Sequence, residues 1–482
     1  MSLAASHAEL YARMAVKDPA DDGRFFIGVL STGIYCRPSC RARLPKPENV
    51  RFFSTAQEAE RAGLRACLRC RPDEFSAGRE PELERIEALV DGLRADPTAF
   101  ADSAALARLA GVGLSKLHAL SRQHFQTSPA ELVASARLER ARRLLAETTK
   151  PILEVAWDSG FSSLSTFQGN FTRRHGLSPG EYRKLLGARE FELRLPQPYP
   201  LPTLLGYLGR DGESPVERVR GTAYAAGAWL AGGPGRLEVE LLPGRARVRL
   251  EAAGEPHDLN ALVAHGLLLR RLGLEQDPRP FETWLRRDPE LAPLVRAERT
   301  GLRIPQTLSP FEAIVWVVVG QQVNLAFAFK LFRRVVTHAG REVGHGLWAA
   351  PAADEVAAIP LEFLLAGQFS GRKAEYLLGL AAEVASGRLD LGALARGSAT
   401  RAERTLLAQR GLGEWSARYL LMRAFSFADC APVGDAGLTK ALARFFALDH
   451  RPDAQETRRL MARFAPFRSF ATFHLWQTLE EA

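Results

Sequence analysis

The chain has 482 residues, too many for one hydrophobic core, which indicates roughly two to four domains. Lysine and arginine number 64 against 55 aspartates and glutamates, and the formal net charge of +9 favours a polyanionic partner. The first residues lack a basic segment followed by an apolar one, and no run of about twenty apolar residues occurs. These features argue against a secreted or membrane-spanning protein, so we expect a cytoplasmic protein with no membrane partner.

Four of the five cysteines form two close pairs, Cys36 with Cys40 and Cys67 with Cys70. Two such pairs can close a tetrahedral cage around one metal ion, and cytosolic thiols at this spacing bind metal more often than they form disulfides. We predict one four-cysteine Zn²⁺ site, and on spacing alone such a site is usually structural. The segment between Cys36 and Pro47 contains four cations and no carboxylate, which predicts a surface that attracts phosphate: Arg37, Arg41, Arg43 and Lys46.

Short apolar runs at residues 25–29 and 50–53 predict strands, and a helical stretch begins at Thr55. From Leu83 to Leu186 a helical apolar pattern is broken twice by short turns, at residues 110–113 and 159–162. Two helices separated by such a break form a helix-turn-helix, and this chain contains the pattern twice. The alternative is a plain helical bundle with exposed charge.

The two recognition helices are expected to begin near Ser115 and Ser163. Their apolar residues Leu117, Leu164, Phe167 and Phe171 are assigned to the core. Polar and basic residues are the candidates for contacts with bases or phosphates: Ser115, Lys116, His118, Ser121, Arg122, Ser163, Ser165, Thr166, Gln168 and Arg173.

A proline-rich segment at residues 196–202 marks a domain boundary, and alternating apolar residues around a Pro-Gly pair then predict a β-hairpin over 236–250. From His257 the pattern is helical to the C-terminus. Within it, Gly411 and Gly413 are placed for a tight hairpin between two helices, where backbone N–H groups can hold a DNA phosphate. Asp435 lies downstream, and the simplest interpretation of an aspartate before Ala-Gly-Leu-Thr-Lys is a helix N-cap.

The segment from Phe26 to Arg43, with Cys67-Leu-Arg-Cys70 downstream, closely resembles the N-terminal methyl-acceptor domain of the Ada family. The resemblance implies that Cys36 is both a zinc ligand and a nucleophile that takes a methyl group from a DNA methylphosphotriester. Metal binding keeps such a sulfur deprotonated at neutral pH. Methylation removes one negative charge from the cage, which strengthens binding to phosphate, so the resemblance implies a single-use acceptor and a switch.

The two helix-turn-helix segments, ending in Gly176-Leu-Ser-Pro-Gly-Glu-Tyr-Arg, resemble the paired domain of the AraC family of transcription regulators. This resemblance implies that the protein binds promoter DNA and acts together with RNA polymerase.

From about residue 191 to the end, the hairpin glycines, Asp435 and the segment 311–326 resemble AlkA, an alkylated-base glycosylase of the helix-hairpin-helix superfamily. The resemblance implies that Asp435 stabilises the sugar cation and orients or deprotonates the attacking water. Given the hairpin upstream, a catalytic role of Asp435 is favoured over helix capping alone. Trp415 stands where strand-cutting members of the superfamily carry a lysine, so the expected product is an abasic site.

The same resemblance assigns Trp415 and Tyr419 to the base pocket, where aromatic faces attract a cationic base, although such a helical pair can equally be core. Phe467 is assigned to the position of a further pocket tryptophan. Gln322 takes the place of the leucine wedge that fills the gap left by a flipped nucleotide.

We therefore predict a mainly α, multidomain, monomeric protein that binds alkylated and promoter double-stranded DNA. Its predicted parts are a zinc α+β module (1–78), an α-helical double helix-turn-helix domain (82–187), an α+β glycosylase subdomain (191–274) and an all-α helix-hairpin-helix domain (275–482). The predicted function joins methylphosphotriester acceptance and transcription activation to N-glycosylase action on 3-methyladenine-type lesions. Two alternatives stay open: a regulator whose glycosylase half only holds lesions, and a glycosylase whose zinc module only anchors it to DNA.

Overall fold

The computed structural model describes residues 5–78 and 80–479. By compactness the chain divides into two units, one formed by residues 1–88 with 442–465 and the other by 89–441 with 466–482. Among the described residues, no helix combines the length and the apolar character needed to cross a lipid bilayer. The predicted fold class, multidomain and mainly helical with small sheets, is confirmed.

The first unit contains a four-stranded sheet in the order β3-β1-β2-β4. Its β1 pairs antiparallel with β2 and β3, and β2 pairs parallel with β4. Because neighbouring strand residues face opposite sides, Phe26 packs with α2 while Ile27 packs with α1. The elements are α1 (His7–Val16), β1 (Phe26–Val29), β2 (Ile34–Cys36), β3 (Val50–Phe53), α2 (Ala56–Arg61), β4 (Arg65–Ala66) and α3 (Pro72–Ser76). The two predicted strands and the helix that begins at Thr55, which caps α2, are confirmed.

The next seven helices form two successive helix-turn-helix pairs around a long central helix. Gly111 and Gly160 have φ values of +63° and +87°, so each predicted break is a turn through the left-handed region that glycine adopts without strain. The helices are α4 (Pro81–Ala95), α5 (Ser103–Leu109), α6 (Leu114–Phe125), α7 (Pro129–Glu147), α8 (Ile152–Asp158), α9 (Leu164–His175) and α10 (Pro179–Arg183). The recognition helices α6 and α9 begin within one residue of the predicted positions.

A five-stranded antiparallel sheet follows, in the order β5-β9-β8-β7-β6. The predicted hairpin is the β8–β9 pair at its centre. The elements are β5 (Glu190–Arg194), α11 (Leu201–Leu208), β6 (Glu217–Arg220), β7 (Ala223–Leu230), β8 (Gly233–Leu242) and β9 (Arg245–Ala252). Pro202 falls in the first turn of α11, where its missing N–H costs no hydrogen bond, so the proline-rich boundary leads directly into a helix.

The remaining chain is almost entirely helical. The helices are α12 (Asn260–Arg271), α13 (Arg279–Leu285), α14 (Pro310–Gly320), α15 (Leu325–Ala339), α16 (Ala353–Ala357), α17 (Leu361–Ala366), α18 (Gly371–Ala385), α19 (Leu391–Arg396), α20 (Ala399–Leu407), α21 (Glu414–Arg423), α22 (Ala436–Phe445), α23 (Ala454–Ala462) and α24 (Arg468–Gln477). The prediction of helix throughout is wrong at β10 (Arg341–Glu342) and β11 (Trp348–Ala349), which form a two-stranded ribbon. The ribbon contacts the larger sheet at Gly227 of β7, where an added β-carbon would lie 2.3 Å from the Trp348 carbonyl oxygen, and Trp348 N donates to Pro215 O, just before β6, at 2.7 Å.

A buried ion pair joins α12 to the five-stranded sheet. Arg271 is 4% exposed and donates to the Glu217 carboxylate at 2.9 Å, to the Gln306 carbonyl at 2.9 Å and to the Tyr224 hydroxyl at 3.3 Å. Taking one partner away from such a pair leaves an uncompensated buried charge, which costs much more than the loss of an exposed pair.

We expect Glu217→Gln to lower the free energy of unfolding of this region by about 3 kcal/mol, because Arg271 loses its counter-charge. The matched control is Glu240→Gln, whose partner Arg247 is about half exposed, and it should cost less than about 0.5 kcal/mol. Native-state hydrogen exchange of the β6–β9 amides measures both values. If both variants lost the same free energy of unfolding, the assignment of Arg271 and Glu217 as a stabilising buried ion pair would be contradicted.

Candidate metal centre and candidate base pocket

The four paired cysteines converge at one point of the first unit. Their sulfur atoms all lie within 4.8 Å of one another. Pairing of β2 with β4 brings the two halves together, since Cys36 ends β2, and Cys67, directly after β4, donates its N–H to the Tyr35 carbonyl at 3.0 Å. A tetrahedral zinc ion with Zn–S bonds of about 2.3 Å needs sulfur separations of about 3.8 Å, so this donor set suits one zinc ion. The predicted four-cysteine site is confirmed.

The side chain of Arg37 does not belong to the exposed cations beside this cluster. Its guanidinium lies 2.8 Å from the Glu80 carboxylate and 3.3 Å from that of Asp22, and it stacks 4.7 Å from the ring centroid of Phe75. The prediction of a DNA contact by this side chain is therefore corrected: it holds the loop after Cys36 in place. Its backbone N–H donates to the Cys70 sulfur at 3.4 Å.

Arg41, Arg43 and Lys46 are exposed, as a phosphate-binding surface requires. Arg69 is exposed as well and donates to the Arg41 carbonyl at 3.4 Å, so a fourth cation, which the sequence analysis missed, belongs to this surface.

On the recognition helices, the residues assigned to the core are buried, apart from the half-buried Leu164. Of the predicted contacts, eight are exposed: Ser115, Lys116, Arg122, Ser163, Ser165, Thr166, Gln168 and Arg173. Ser121 is wholly buried, so its assignment as a contact is wrong, and His118 is half-buried. Ser163 also caps α9 by accepting from Thr166 N at 3.3 Å. Gly169 lies inside α9, where glycine weakens a helix, and nothing in the structure explains it.

The predicted hairpin joins α20 to α21. Gly411 has a φ of +93°, and a β-carbon there would lie 2.5 Å from Cγ of Tyr376, so the turn accepts only glycine. Gly413 is the N-cap of α21, and no side chain among the described residues caps that end. The loop after α14 is tied to the hairpin because Gln321 Nε2 donates to the Gly411 carbonyl at 2.8 Å.

Asp435 is held by three donors from three different helices. Trp415 Nε1 donates to Oδ2 at 3.1 Å, and Trp476 Nε1 donates to Oδ1 at 3.0 Å. Leu438 N, in the first turn of α22, donates to Oδ1 at 2.7 Å. Asp435 therefore caps α22, as the simplest interpretation predicts. Capping leaves a chemical role possible, because the same carboxylate also lines a cavity.

This cavity has a volume of about 1150 Å³ and is lined by aromatic rings from separate helices. The ring centroid of Tyr419 lies 5.7 Å from that of Trp415 and 6.1 Å from that of Trp476. The structure thus brings the predicted pocket residues Trp415 and Tyr419 together with Asp435. Gln322 lies at the rim, exposed and with a φ of +55° that projects it from the loop before α15.

Phe467 does not line the cavity, and its assignment to the base pocket is corrected. Its ring packs against Trp284 and Phe281, with centroids 5.8 and 6.1 Å away. Trp476, on α24, supplies the further tryptophan instead. Sequence reasoning missed it because Trp476 lies 41 residues from Asp435 and in no local motif; its one signal was a tryptophan in the last helical segment.

With the geometry established, four family descriptions match the chain in succession. They are the metal binding domain of Ada at residues 9–73, a helix-turn-helix domain at 106–185, the AlkA N-terminal domain at 190–309 and the HhH-GPD superfamily of base excision DNA repair proteins at 315–466. Fold and site together define a class: a zinc-binding, DNA-binding regulator joined to a helix-hairpin-helix glycosylase.

A protein of Mycobacterium tuberculosis described as a probable bifunctional transcriptional activator/DNA repair enzyme AlkA is 33% identical over 98% of this chain and 96% of its own length. The chain belongs to this family of bifunctional transcriptional activators and DNA repair enzymes. DNA-3-methyladenine glycosylase 2 of Escherichia coli is 30% identical over 60% of this chain and 97% of its own.

Among solved structures, the 3-methyladenine DNA-glycosylase of Archaeoglobus fulgidus superposes with a TM-score of 0.52 at 21% identity. The match covers 59% of this chain and 97% of that one. At this identity the likeness shows the fold alone.

We expect Gly411→Ala to destabilise the hairpin by about 2 kcal/mol and to weaken DNA binding, because alanine is strained at this φ and meets the Tyr376 ring. Gly379→Ala is the matched control, since that glycine lies on the exposed face of α18 with nothing within 4 Å of an added β-carbon. Thermal unfolding and fluorescence anisotropy with a DNA duplex provide the two measurements. A Gly411→Ala protein that binds as tightly as the control would contradict the expectation.

Proposed function

We propose that this protein releases alkylated bases such as 3-methyladenine from DNA and also accepts methyl groups from DNA methylphosphotriesters, which switches on promoter binding. The observation that carries the first activity is the Asp435 carboxylate, fixed by two indole N–H groups in the wall of an aromatic cavity. The proposal divides the chain at the predicted boundaries, 1–78, 82–187, 191–274 and 275–482.

In base release, Trp415, Tyr419 and Trp476 offer the π faces on which a flipped, cationic base is held. As the glycosidic bond breaks, positive charge develops on the sugar and the nearby Asp435 carboxylate stabilises it. The same carboxylate orients or deprotonates the water that attacks the sugar carbon. A base alkylated on a ring nitrogen is already a good leaving group, so no strong general acid is required.

The product is an abasic site. A lyase step requires an amine that forms a Schiff base with the sugar. At the hairpin position where strand-cutting members of the superfamily carry a lysine, this chain has Trp415, which offers no amine. Gly411 and Gly413 supply backbone N–H groups that hold a phosphate of the DNA, and Gln322 at the rim fills the gap that the flipped nucleotide leaves.

In methyl acceptance, bound zinc keeps the cysteine sulfurs deprotonated at neutral pH. The Cys36 sulfur attacks the methyl carbon of the triester; a carbon–sulfur bond forms, the carbon–oxygen bond breaks, and the phosphate leaves as an ordinary diester. Cys36 becomes a neutral thioether, so the cluster loses one negative charge beside Arg41, Arg43 and Arg69. A surface that has lost one negative charge binds the DNA backbone more tightly.

Promoter recognition then belongs to the exposed polar residues of α6 and α9. The proposal includes RNA polymerase as the partner through which the bound protein activates transcription, a monomer as the acting species, and the cytoplasm as its location because its DNA targets are there. Support comes from the description of the M. tuberculosis relative as a transcriptional activator and from the helix-turn-helix match.

Asp435→Asn should lower the single-turnover rate of base release from methylated DNA by about a hundredfold or more, because the developing cation loses its counter-charge. Asparagine can still cap α22 through its one side-chain oxygen, but its NH2 group meets one of the two indole N–H donors, so thermal unfolding of the variant is measured beside its rate. Asp390→Asn is the matched control: it replaces another capping aspartate, which accepts from Ala393 N at 2.8 Å, and base release should be unchanged.

If the Asp435→Asn protein released bases as fast as the parent, the carboxylate would be a cap alone. If the parent released none while still binding lesions, the alternative of a regulator that only holds damage would be correct.

After incubation with methylphosphotriester DNA, peptide mass spectrometry should find one methyl group on the peptide that contains Cys36 and none on the other cysteine peptides. Cys36→Ala should abolish uptake and leave base release intact. Cys430→Ala is the matched control, because Cys430 is buried and burial raises the pKa of its thiol to about 12. An unmodified cluster in the parent protein would favour the zinc module as a DNA anchor.

A further inference from the structure

The wall of the candidate base pocket carries a cation as well as an anion. Arg210, just after the end of α11, lines the same cavity as Asp435 and Trp415. Its guanidinium carbon lies 3.9 Å from the ring centroid of Tyr207 and 5.9 Å from those of Trp316 and Phe329. Stacking on these rings fixes the plane of the guanidinium, and the Tyr207 hydroxyl engages only part of its set of five N–H donors.

This guanidinium differs in one respect from the buried guanidinium of Arg271. Within residues 5–78 and 80–479, no carboxylate lies within 4.0 Å of the Arg210 guanidinium. The adjacent Asp211 is directed elsewhere, since it accepts from Arg333 Nε at 3.0 Å. Arg271, by contrast, has Glu217. An arginine without a counter-charge is costly unless a ligand uses its donors, so the arrangement points to an acceptor that arrives with the substrate.

The chemistry of the guanidinium defines which bases it favours. Its N–H groups are donors only, so they complement a carbonyl oxygen and oppose an exocyclic amino group. Its positive charge also repels every cationic base, whichever ring nitrogen carries the alkyl group. A base that presents a carbonyl oxygen to the guanidinium recovers part of this cost through a charge-assisted hydrogen bond, whereas an amino group in the same place accepts none.

We propose that Arg210 is a specificity-determining residue that favours alkylated bases with a carbonyl oxygen, such as 3-methylguanine, over bases with an amino group at that position, such as 3-methyladenine. This inference rests on the proposed glycosylase activity. The two bases form a matched pair, because both are methylated at the same ring nitrogen and both carry one positive charge. Their ratio therefore reports the hydrogen bond and not the charge.

The experiment uses the full-length protein and DNA methylated with dimethyl sulfate. Released 3-methylguanine and 3-methyladenine are quantified by mass spectrometry, and each initial rate is normalised to the content of that base in the DNA. Arg210→Ala should lower the 3-methylguanine to 3-methyladenine ratio about tenfold, because one hydrogen bond to a charged group is lost. Arg210→Lys keeps the charge without the planar fork and should give an intermediate ratio.

Arg220→Ala is the matched control, because Arg220 is exposed on β6 and does not line the cavity, and its ratio should equal that of the parent. A structural role of Arg210 would slow the release of both bases equally and leave the ratio unchanged, which would overturn the inference. An unchanged ratio at parental rates would overturn it too. If Arg210→Ala does not fold, Arg210→Lys decides by the same ratio. Failure of the parent protein to release either base would instead refute the proposed function itself.

Discussion

The second unit depends on one interaction, the Asp435 carboxylate with its three donors. Trp415 comes from α21, Trp476 from α24 and the Leu438 amide from α22, so three helices are tied at a single pair of oxygen atoms. The two indoles are also walls of the cavity, and their positions are therefore set by the same bonds that orient the carboxylate. Shape of the pocket and direction of the charge cannot change independently, which is the pre-organisation that electrostatic stabilisation of a developing cation requires.

The same reasoning applies to the anionic centre of the first unit. Four thiolates around one divalent ion carry a net double negative charge, and the surroundings supply N–H donors and cations to offset it. The Arg37 amide donates to Cys70, while the Arg37 side chain is committed to Asp22 and Glu80. In the proposed function, rigid support and phosphate attraction are thus divided between residues: Arg37 fixes the loop, and the exposed Arg41 and Arg43 are left to attract the DNA backbone.

Features whose cause is local could be predicted from the sequence. The close cysteine pairs, the glycines at the two helix-turn-helix breaks and the alternating residues of the β8–β9 hairpin are all fixed by neighbours along the chain. Asp435 could be assigned twice, as a cap and as a chemical group, and the structure contains both geometries. The error at Ser121 was avoidable: it lies one helical turn after Leu117, so the periodicity that buries one buries the other.

Features formed by distant segments could not be predicted. The partner of Arg37 is 43 residues away, and Trp476 reaches Asp435 across 41. Tyr207 in α11 and Arg210 just after it are far along the chain from the hairpin and from the other pocket residues. By resemblance, Phe467 was assigned to the position of a pocket tryptophan. The cavity is lined instead by Trp476, which α24 directs inward. Side-chain direction on a packed helix depends on its neighbours in space, and a single sequence does not contain them.

In the proposed function the two anionic centres also differ in how they end a reaction. Cys36 is consumed, because a thioether sulfur is neutral and no group in its surroundings removes the methyl. Asp435 is restored after every base it helps to release. A chain that has accepted its one methyl group therefore still releases bases, while its cysteine cluster has permanently lost one negative charge. The methylated state is therefore not reversed within one molecule. It lasts as long as that molecule, and only newly synthesised protein has an unmethylated Cys36 thiolate.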